Sequence, residues 1–443
     1  MKPMRGVSSA AVYAAANVVN GLLPFLLMAV LTRVLPVADY GRIAMFGMLI
    51  SVCSALTGAG VQGAINARYD ARATEAFRGW VVAGAIVVAA STLLLALPVT
   101  MASDAIARFT GLDAHWVWLA VPAAGAMTVA QVCVGVWMMQ RRAWRFAAFQ
   151  IGSAGAGIAL SLALVLWVTH DASGRIWGQA IGAWITGAFA LGCLWRGGWL
   201  ACAWSCPRAR EAVREAVREV AAFSVPLIPH FLGGFLLVGA ERWIATQTLG
   251  LDAAGIYMVA AQIGVGFGLV ADGVNKALTP WAYARLRGKA PGDHAVLVHA
   301  YWRLIALAAA GAVVLLALSP WLVALMAGPA YREAARVLPW IALGYGCHAV
   351  YLLLTHSLYL TRRTRLLGLA TPIAGGAGLL VGTWLAPRVG IAGIGMGFAF
   401  GMACRCGFTW YLAQRACPLP WFGGAAIVAP DIPGIPEIPD SRP

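Results

Sequence analysis

Charged side chains are scarce in this sequence. Only 11% of the 443 residues are charged and 61% are hydrophobic, whereas a soluble domain has about 25% charged and about 45–50% apolar residues. No stretch between the apolar segments is long and polar enough to form a separate soluble domain. These scarcities exclude a large core outside the membrane and predict a polytopic membrane protein.

A nucleotide-binding loop is also missing. The sequence contains no G-x-x-x-x-G-K-[ST] motif, which is the loop that cradles the phosphates of ATP in P-loop proteins. ATP is therefore not bound in that way, and no cofactor is expected. An ion gradient, the membrane potential or the substrate concentration is left as the driving force for any transport.

Zinc-site spacing is absent as well. Nine cysteines are present, but neither Cys202 with Cys206 nor Cys404 with Cys406 has a second pair at the spacing that zinc sites use. No metal site is therefore predicted. The cysteines are expected to be reduced and structural.

Twelve apolar windows of helical length follow one another along the chain, six on each side of a polar connector. A spanning helix needs about 20 apolar residues. The windows are 12–35, 43–65, 80–101, 116–139, 146–168, 176–195, 223–246, 255–279, 304–326, 337–360, 366–386 and 391–412. The prediction is an all-α membrane protein with two six-helix lobes, 1–200 and 223–415, a connector at 201–222 and a Pro-rich tail at 416–443.

The distribution of basic residues predicts the orientation. Loops on the side of the N-terminus hold 23 of the 32 Lys and Arg residues, loops on the other side hold eight, and Arg405 lies within the last window. Because Lys and Arg concentrate in cytoplasmic loops, both termini are predicted to be cytoplasmic. The net charge of +15 is spread over these loops, so a nucleic-acid partner is not expected.

The connector carries an amphipathic pattern. Val213, Ala216, Val217 and Val220 recur at helical spacing, with Arg and Glu on the opposite face. We expect a helix on the cytoplasmic membrane surface, with a plain solvated linker as its whole role or with a regulatory one. The tail from Pro418 onward is expected to be disordered and extended, because its prolines remove backbone donors.

The two halves echo each other at one place. Leu35 and Gly41 enclose five residues before the second window, and Leu249 and Gly255 enclose five residues before the eighth. Six windows on each side of the connector and this echo indicate an internal duplication, which is an architecture of transporters.

Three stripes pair small residues with polar ones at a spacing of four. They are Gly58, Gln62, Asn66 and Asp70; Gly264, Gly268, Asp272 and Lys276; and Gly393, Gly397, Gly401 and Arg405. Such stripes are typical of close helix packing, and packing alone explains the glycines. Arg405 either binds substrate or snorkels to water. His348, inside the tenth window, is expected to be a packed helix residue.

Arg33 and the pair Glu241 and Arg242 lie near the outer ends of corresponding windows. Arg suits phosphate because its guanidinium is a permanently charged, planar fork of donors. An interfacial anchor is the alternative reading of these positions.

Several segments resemble a known family. The first half contains FLLMAVLTRVLPVADYGRIAMFGMLISVCSALTGAGVQGAINARY, and the second half contains FSVPLIPHFLGGFLLVGAERWIATQTLGLDAAGIYMVAAQIG and GPAYREAARVLPWIALG. They resemble bacterial polysaccharide flippases of the Wzx type, in the multidrug/oligosaccharidyl-lipid/polysaccharide (MOP) exporter superfamily. The resemblance covers the chain up to about Leu412 and implies two six-helix lobes around a central cavity.

The resemblance also implies a function, a location and a set of site residues. Such proteins move an undecaprenyl-diphosphate-linked repeat unit of O-antigen, capsule or exopolysaccharide across the bacterial inner membrane by alternating access, and they are not enzymes. Besides this substrate and membrane lipids, candidate partners are a polysaccharide polymerase and glycosyltransferases. Residues expected to attract the diphosphate or contact sugars are Arg33, Arg68, Arg242, Lys276, Arg405, Asn17, Asn20, Gln62 and Asn66. Asp272 and Glu241 are the candidates for coupling to protons or sodium.

Two other functions compete with this one. A drug or metabolite exporter of the same superfamily shares the twelve spans, but a basic cavity suits a lipid diphosphate better than a cationic drug. A membrane polymerase or ligase acting on the same carrier is disfavoured, because its catalytic residues are expected on a substantial outer loop and the outer loops here are short.

Overall fold

A computed structural model describes residues 4–421, apart from 59, 70–73, 201–206, 288–291 and 362–364. The helices are α1 (Met4–Val34), α2 (Val37–Thr57), α3 (Val61–Ala67), α4 (Thr74–Met101), α5 (Ser103–Thr110), α6 (Ala114–Met139), α7 (Ala143–Leu164), α8 (Ala172–Arg196), α9 (Pro207–Ser224), α10 (Ile228–Val238), α11 (Glu241–Leu249), α12 (Leu251–Arg287), α13 (Asp293–Met326), α14 (Ala334–Leu360), α15 (Arg365–Val389) and α16 (Ile391–Ala416). Twelve of the described segments are long and apolar enough to cross a membrane. The predicted fold class is confirmed.

The helices pack in the same way in both halves of the chain. In the first lobe α2 packs against α6, α6 against α8 and α7 against α8; in the second lobe α12 packs against α14, α14 against α16 and α15 against α16. We use the term inner end for the end of the helix bundle at which α1 begins. The outer end is the opposite end, where α1 is followed by α2. The order of helix packing is therefore the same in the two lobes, as the predicted duplication requires.

The two lobes meet where α2 and α12 begin, at the outer end. A Cβ atom on Gly41 would overlap the carbonyl oxygen of Leu251, and one on Gly255 would lie 2.5 Å from the carbonyl oxygen of Val37. Gly41 and Gly255 are the two glycines that the sequence echo aligns. The echo therefore marks the point where corresponding helices of the two lobes cross in close backbone contact.

Two of the predicted spans have different boundaries in the structure. The second span ends at Thr57 instead of Ile65, because the backbone turns at Gly60, whose φ of 89° favours glycine, before α3 begins. The seventh span is interrupted between α10 and α11 at Gly239 and Ala240, and at its inner end it continues from α9 through a turn at Val225–Leu227. Periodicity alone does not reveal such breaks within apolar runs.

The apolar face of the connector helix α9 is covered by protein. Val213, Ala216 and Val220 are buried, and Val213 packs with Val82 of α4. The expectation that this face rests on the membrane surface is therefore corrected for the described part of the connector, and 201–206 lie outside the described residues. The apolar pattern was diagnostic of a buried face, but not of what buries it.

The start of the Pro-rich tail is packed and not free. Leu419 and Trp421 are buried, and the Leu419 amide donates to Gln414 Oε1 at 2.9 Å. The Trp421 ring lies 4.4 Å from that of Trp410 and 5.9 Å from that of Tyr301. The prediction of disorder is wrong for 418–421, because a large aromatic side chain finds an apolar site on the second lobe, and 422–443 lie outside the described residues.

Candidate substrate site

Helices α1 and α12, one from each lobe, approach each other at mid-depth, and we call the space beside them toward the inner end the cleft. Near mid-helix a Cβ on Gly21 would lie 3.3 Å from Leu269, and one on Gly266 would lie 3.0 Å from Phe25. One turn closer to the inner end Asn17 is exposed. On α12 a Cβ on Gly273 would meet nothing within 4 Å. The two helices therefore touch at mid-depth, and on the inner side of this contact Asn17 is exposed and Asn20 is half-buried.

Arg405 lies inside the second lobe and not at its surface. Its side chain is only 7% exposed, Nη2 donates to His348 Nδ1 at 2.6 Å, and the guanidinium stacks over the Tyr351 ring at 4.0 Å. Nε is buried without a hydrogen-bond partner. The alternative of snorkelling to water is excluded, because the charge is held by an imidazole and an aromatic face.

Asp272 connects this buried charge to the cleft. Since Arg405 is always a donor, His348 Nδ1 accepts and the imidazole proton belongs on Nε2. Nε2 lies 3.9 Å from Asp272 Oδ1, and the Asp272 side chain is 41% exposed. Lys276, one turn further along α12, is exposed. Asp272, His348 and Arg405, which we call the polar triad, therefore lie next to one another, from a half-exposed carboxylate to a buried guanidinium.

The small-residue stripes explain how the triad is assembled. Gly264 and Gly268 of α12 accept Ile341 and Tyr345 of α14 in close contact. Gly397 and Gly401 of α16 pack against the backbone of α15 in the same manner. The packing interpretation of the glycines is thus confirmed. Two of the three stripes contain a member of the triad, Asp272 in one and Arg405 in the other, so that close helix packing places the charges.

Glu241 occupies the break between α10 and α11. It is 4% exposed, and its Oε2 is buried without a partner. The carboxyl group borders a cavity of about 10 Å³ lined by Gly378, Gly397 and Gly401. That volume is about the size of one water or one small ion. A carboxyl group in such a place is either protonated or compensated by a bound cation.

Arg242 is adjacent in the chain but forms no ion pair with Glu241 within the described residues. Its Nε is buried without a partner, as is Nε of Arg175 on α8. Arg175 Nη1 donates to Ser161 Oγ at 2.7 Å. The charges of Arg175 and Arg242 both act on the buried Tyr40 hydroxyl, so one arginine of each lobe lies near this ring. In the sequence Arg175 is one charge in a short connection between two apolar windows, and nothing there distinguishes it from the other loop charges.

Arg33 and Arg68 lie outside the cleft. Arg33, near the outer end, donates from Nη1 to the Ala29 carbonyl at 2.6 Å and from Nη2 to the Leu325 carbonyl at 2.7 Å. Arg68, at the inner end, pairs with Glu219 of α9 at 2.5 Å and lies over the Trp80 ring at 4.9 Å. The structure does not bring either residue together with Arg405.

Gln62 and Asn66 face the interior of the first lobe. A Cβ on Gly135 of α6 would lie 2.9 Å from Asn66 Oδ1 and 2.9 Å from Gln62 Cγ. Asn66 Oδ1 is buried without a partner. Both side chains pack against α6, which is away from α12, and Asp70 at the end of the same stripe lies outside the described residues.

Comparison with known proteins identifies the family. A family model described as "Polysaccharide biosynthesis protein" matches residues 7–283. This chain belongs to that family. The match runs from α1 into the last turns of α12, so it contains the helices that form the crossing of the lobes. No curated protein matches the chain in sequence.

Solved structures share the fold at low identity. An inward-facing multidrug resistance MATE family transporter of the MOP superfamily is 14% identical with a TM-score of 0.65, over 91% of this chain and 94% of that one. The lipid II flippase MurJ in an inward closed conformation is 10% identical with a TM-score of 0.69, over 91% and 87%. A MOP transporter from Pyrococcus furiosus is 16% identical with a TM-score of 0.58, over 93% and 94%.

Family and fold agree with the resemblance to Wzx-type proteins. The chain is a polysaccharide biosynthesis protein by family, has twelve candidate membrane spans and shares its fold with MATE family transporters and MurJ.

Proposed function

We propose that this transporter is a flippase for an undecaprenyl-diphosphate-linked oligosaccharide, moved from the cytoplasmic to the outer leaflet of the bacterial inner membrane by alternating access. On this proposal the inner end faces the cytoplasm, where the lipid-linked sugar is made. The family supports the polysaccharide pathway. MurJ, which shares the fold, is described as a lipid II flippase.

The observation that carries the proposal is the excess of positive charge around the polar triad. Arg405 is buried with an unpartnered Nε, and Lys276 stands exposed one turn from Asp272. One carboxylate therefore faces two cations. A diphosphate entering the cleft supplies the missing negative charge and further acceptors for guanidinium donors.

The site residues take different roles on this proposal. Lys276 attracts the diphosphate at the opening of the cleft, while Arg405 and Arg242 stabilise it as it moves outward. Asn17 and Asn20 line the opening where sugars pass. Asp272 and Glu241 exchange a proton or a sodium ion, Glu241 because its buried carboxyl group needs compensation.

The experiment is a deletion strain complemented with variants. Without the gene, lipid-linked oligosaccharide should accumulate on the cytoplasmic leaflet and the surface polymer should be lost. Arg405→Gln should fail to restore the polymer, whereas Arg388→Ala should restore it, because the Arg388 guanidinium stacks on Trp384 of its own helix. Normal polymer in the deletion strain contradicts the proposal.

A drug or metabolite exporter is the second candidate, since a multidrug resistance MATE transporter shares the fold. It predicts the reverse outcome: altered drug susceptibility with normal surface polymer. The surplus of cations around the triad favours an anionic substrate over a cationic drug.

A further inference from the structure

Two long polar side chains donate hydrogen bonds from one lobe to the other at the outer end, beside a third bond in which Thr32 Oγ1 accepts from the Gly328 amide at 3.3 Å. Arg33 of the first lobe donates from Nη2 to the Leu325 carbonyl of α13 at 2.7 Å. Gln247 of the second lobe donates from Nε2 to the Phe109 carbonyl of α5 at 2.7 Å. Each of these two donated bonds joins the two lobes directly, and each uses a donor on one lobe and a main-chain acceptor on the other.

The two donors occupy equivalent positions in the duplicated halves. Arg33 lies eight residues before Gly41, and Gln247 lies eight residues before Gly255. Gly41 and Gly255 are the glycines at which α2 and α12 cross. Arg33 and Gln247 therefore approach the interface from opposite sides of the same crossing.

The two acceptors are equivalent too. Leu325 lies in the last turn of α13, the third span of the second half, and Phe109 lies in the last turn of α5, which follows the third span of the first half. Carbonyls in the last turn of a helix have no partner within the helix, and they carry the negative end of its dipole. They are natural acceptors for a donor from the opposite lobe.

Apolar contacts surround these two bonds. The rings of Tyr40 and Tyr331 meet edge to face at 5.7 Å, and those of Phe109 and Trp243 stack at 4.7 Å. Burial raises the pKa of Tyr331, so this ring stays neutral. Ring contacts tolerate small sliding movements, whereas hydrogen bonds depend strongly on distance and angle. Together with the close backbone crossing of α2 and α12, the two donated bonds thus define one closed geometry.

We propose that Arg33 and Gln247 form a pair of equivalent latches that hold the lobes together at the outer end and release their helix-end carbonyls when the transporter opens outward. The inference rests on alternating access in the proposed function, and not on the identity of the substrate. It assigns Arg33 a role in the closed state other than binding the diphosphate, and it assigns Gln247 a role that sequence reasoning did not give it.

The test measures the outer opening without substrate. Spin labels are attached at Ala105 of α5 and Arg332 beside α14, both exposed at the outer end, in the full chain with its native cysteines replaced. Distances are recorded by pulsed electron paramagnetic resonance in nanodiscs. Arg33→Ala and Gln247→Glu, which keeps the size of the side chain but removes the donor, should each raise the population with long distances about tenfold.

The double variant should open further than either single variant. Arg388→Ala is the matched control, since Arg388 is also an exposed arginine at the outer end but donates to the Trp384 carbonyl of its own helix. If Arg33→Ala does not fold, Arg33→Met replaces it, because methionine keeps an apolar stem but has no donor. Unchanged distances in the double variant overturn the latch.

Failure of the latch is distinguishable from failure of the proposed function. If the protein is a flippase but has no such latch, the variants show unchanged label distances, and the deletion strain still loses its surface polymer. If the latch exists but the substrate is not the lipid-linked oligosaccharide, the label distances change in the variants and the deletion strain makes normal polymer. If Arg33 only binds diphosphate, Arg33→Ala leaves the substrate-free distances as in the wild type, which also contradicts the proposal.

Discussion

Gly41 and Gly255 lie against each other across the interface of the two lobes. A methyl group on Gly41 would overlap the Leu251 carbonyl oxygen, and one on Gly255 would lie 2.5 Å from the Val37 carbonyl oxygen. Each helix thus occupies the space that a side chain on the other helix would need. The depth of the crossing between α2 and α12 depends on both residues being glycine.

Gly41→Ala should destabilise the protein by forcing α2 away from α12. An overpacked contact costs about 1–3 kcal/mol, which should appear as a lower unfolding temperature of the purified protein. Gly47→Ala, on the same helix, is the control, because its Cβ would meet nothing within 4 Å. An equal unfolding temperature for Gly41→Ala and Gly47→Ala contradicts the close crossing.

Arg405→Lys should fail to replace Arg405 in transport. Lysine keeps the positive charge, but it loses the planar group that stacks on Tyr351 while donating to His348. We expect surface polymer to fall about tenfold or more, since a hydrogen bond to a charged group contributes about 1.5–3 kcal/mol. The measurement is polymer per cell at matched protein levels. Full activity with lysine would show that charge alone is sufficient at this position.

Glu241→Gln should preserve the fold and remove ion coupling. Glutamine has the same shape without the charge, and it suits a buried site whose carboxyl oxygen lacks a partner. The unfolding temperature should equal or exceed that of the wild type, and transport in proteoliposomes should no longer respond to an imposed proton or sodium gradient. Glu333→Gln, at an exposed outer position, should leave the response intact. A gradient response that survives in Glu241→Gln excludes this carboxyl group as the coupling site.

Arg68→Ala should have only a small effect. Its partner Glu219 and Arg68 itself are both substantially exposed, and an exposed ion pair contributes about 0.2–1 kcal/mol. Urea or thermal unfolding should therefore shift little, and the surface polymer should remain close to the wild-type amount. Loss of polymer at unchanged stability would instead restore Arg68 as a substrate contact.

Much of the fold was predictable because membrane insertion depends on local composition. The twelve apolar windows and the echo around Gly41 and Gly255 were visible in the sequence, and the structure confirms the spans. The breaks at Gly60 and Gly239 were not visible, because an interrupted helix and a continuous one have the same hydropathy. The α9 face was predicted as apolar, but whether lipid or α4 covers it depends on a distant helix.

The candidate site was less predictable than the fold. The stripes drew attention to Asp272 and Arg405, yet His348, which joins them, was expected to be a packing residue. Gln62 and Asn66 were expected to act together with Asn17, because all three are polar residues within apolar helices. The structure separates them, since the direction of a side chain depends on helix rotation and on the break after Thr57.

The sequence by itself determined that this chain has two sets of six apolar spans and that a few polar residues lie within them. The reason is that the free energy of transferring a segment into lipid depends on the composition of that segment alone. Only the tertiary structure decided which polar groups meet. Arg33 and Leu325 are far apart in the chain, and so are Asp272 and Arg405. Their pairing follows from how closely small residues let the helices approach, a geometry that composition does not record.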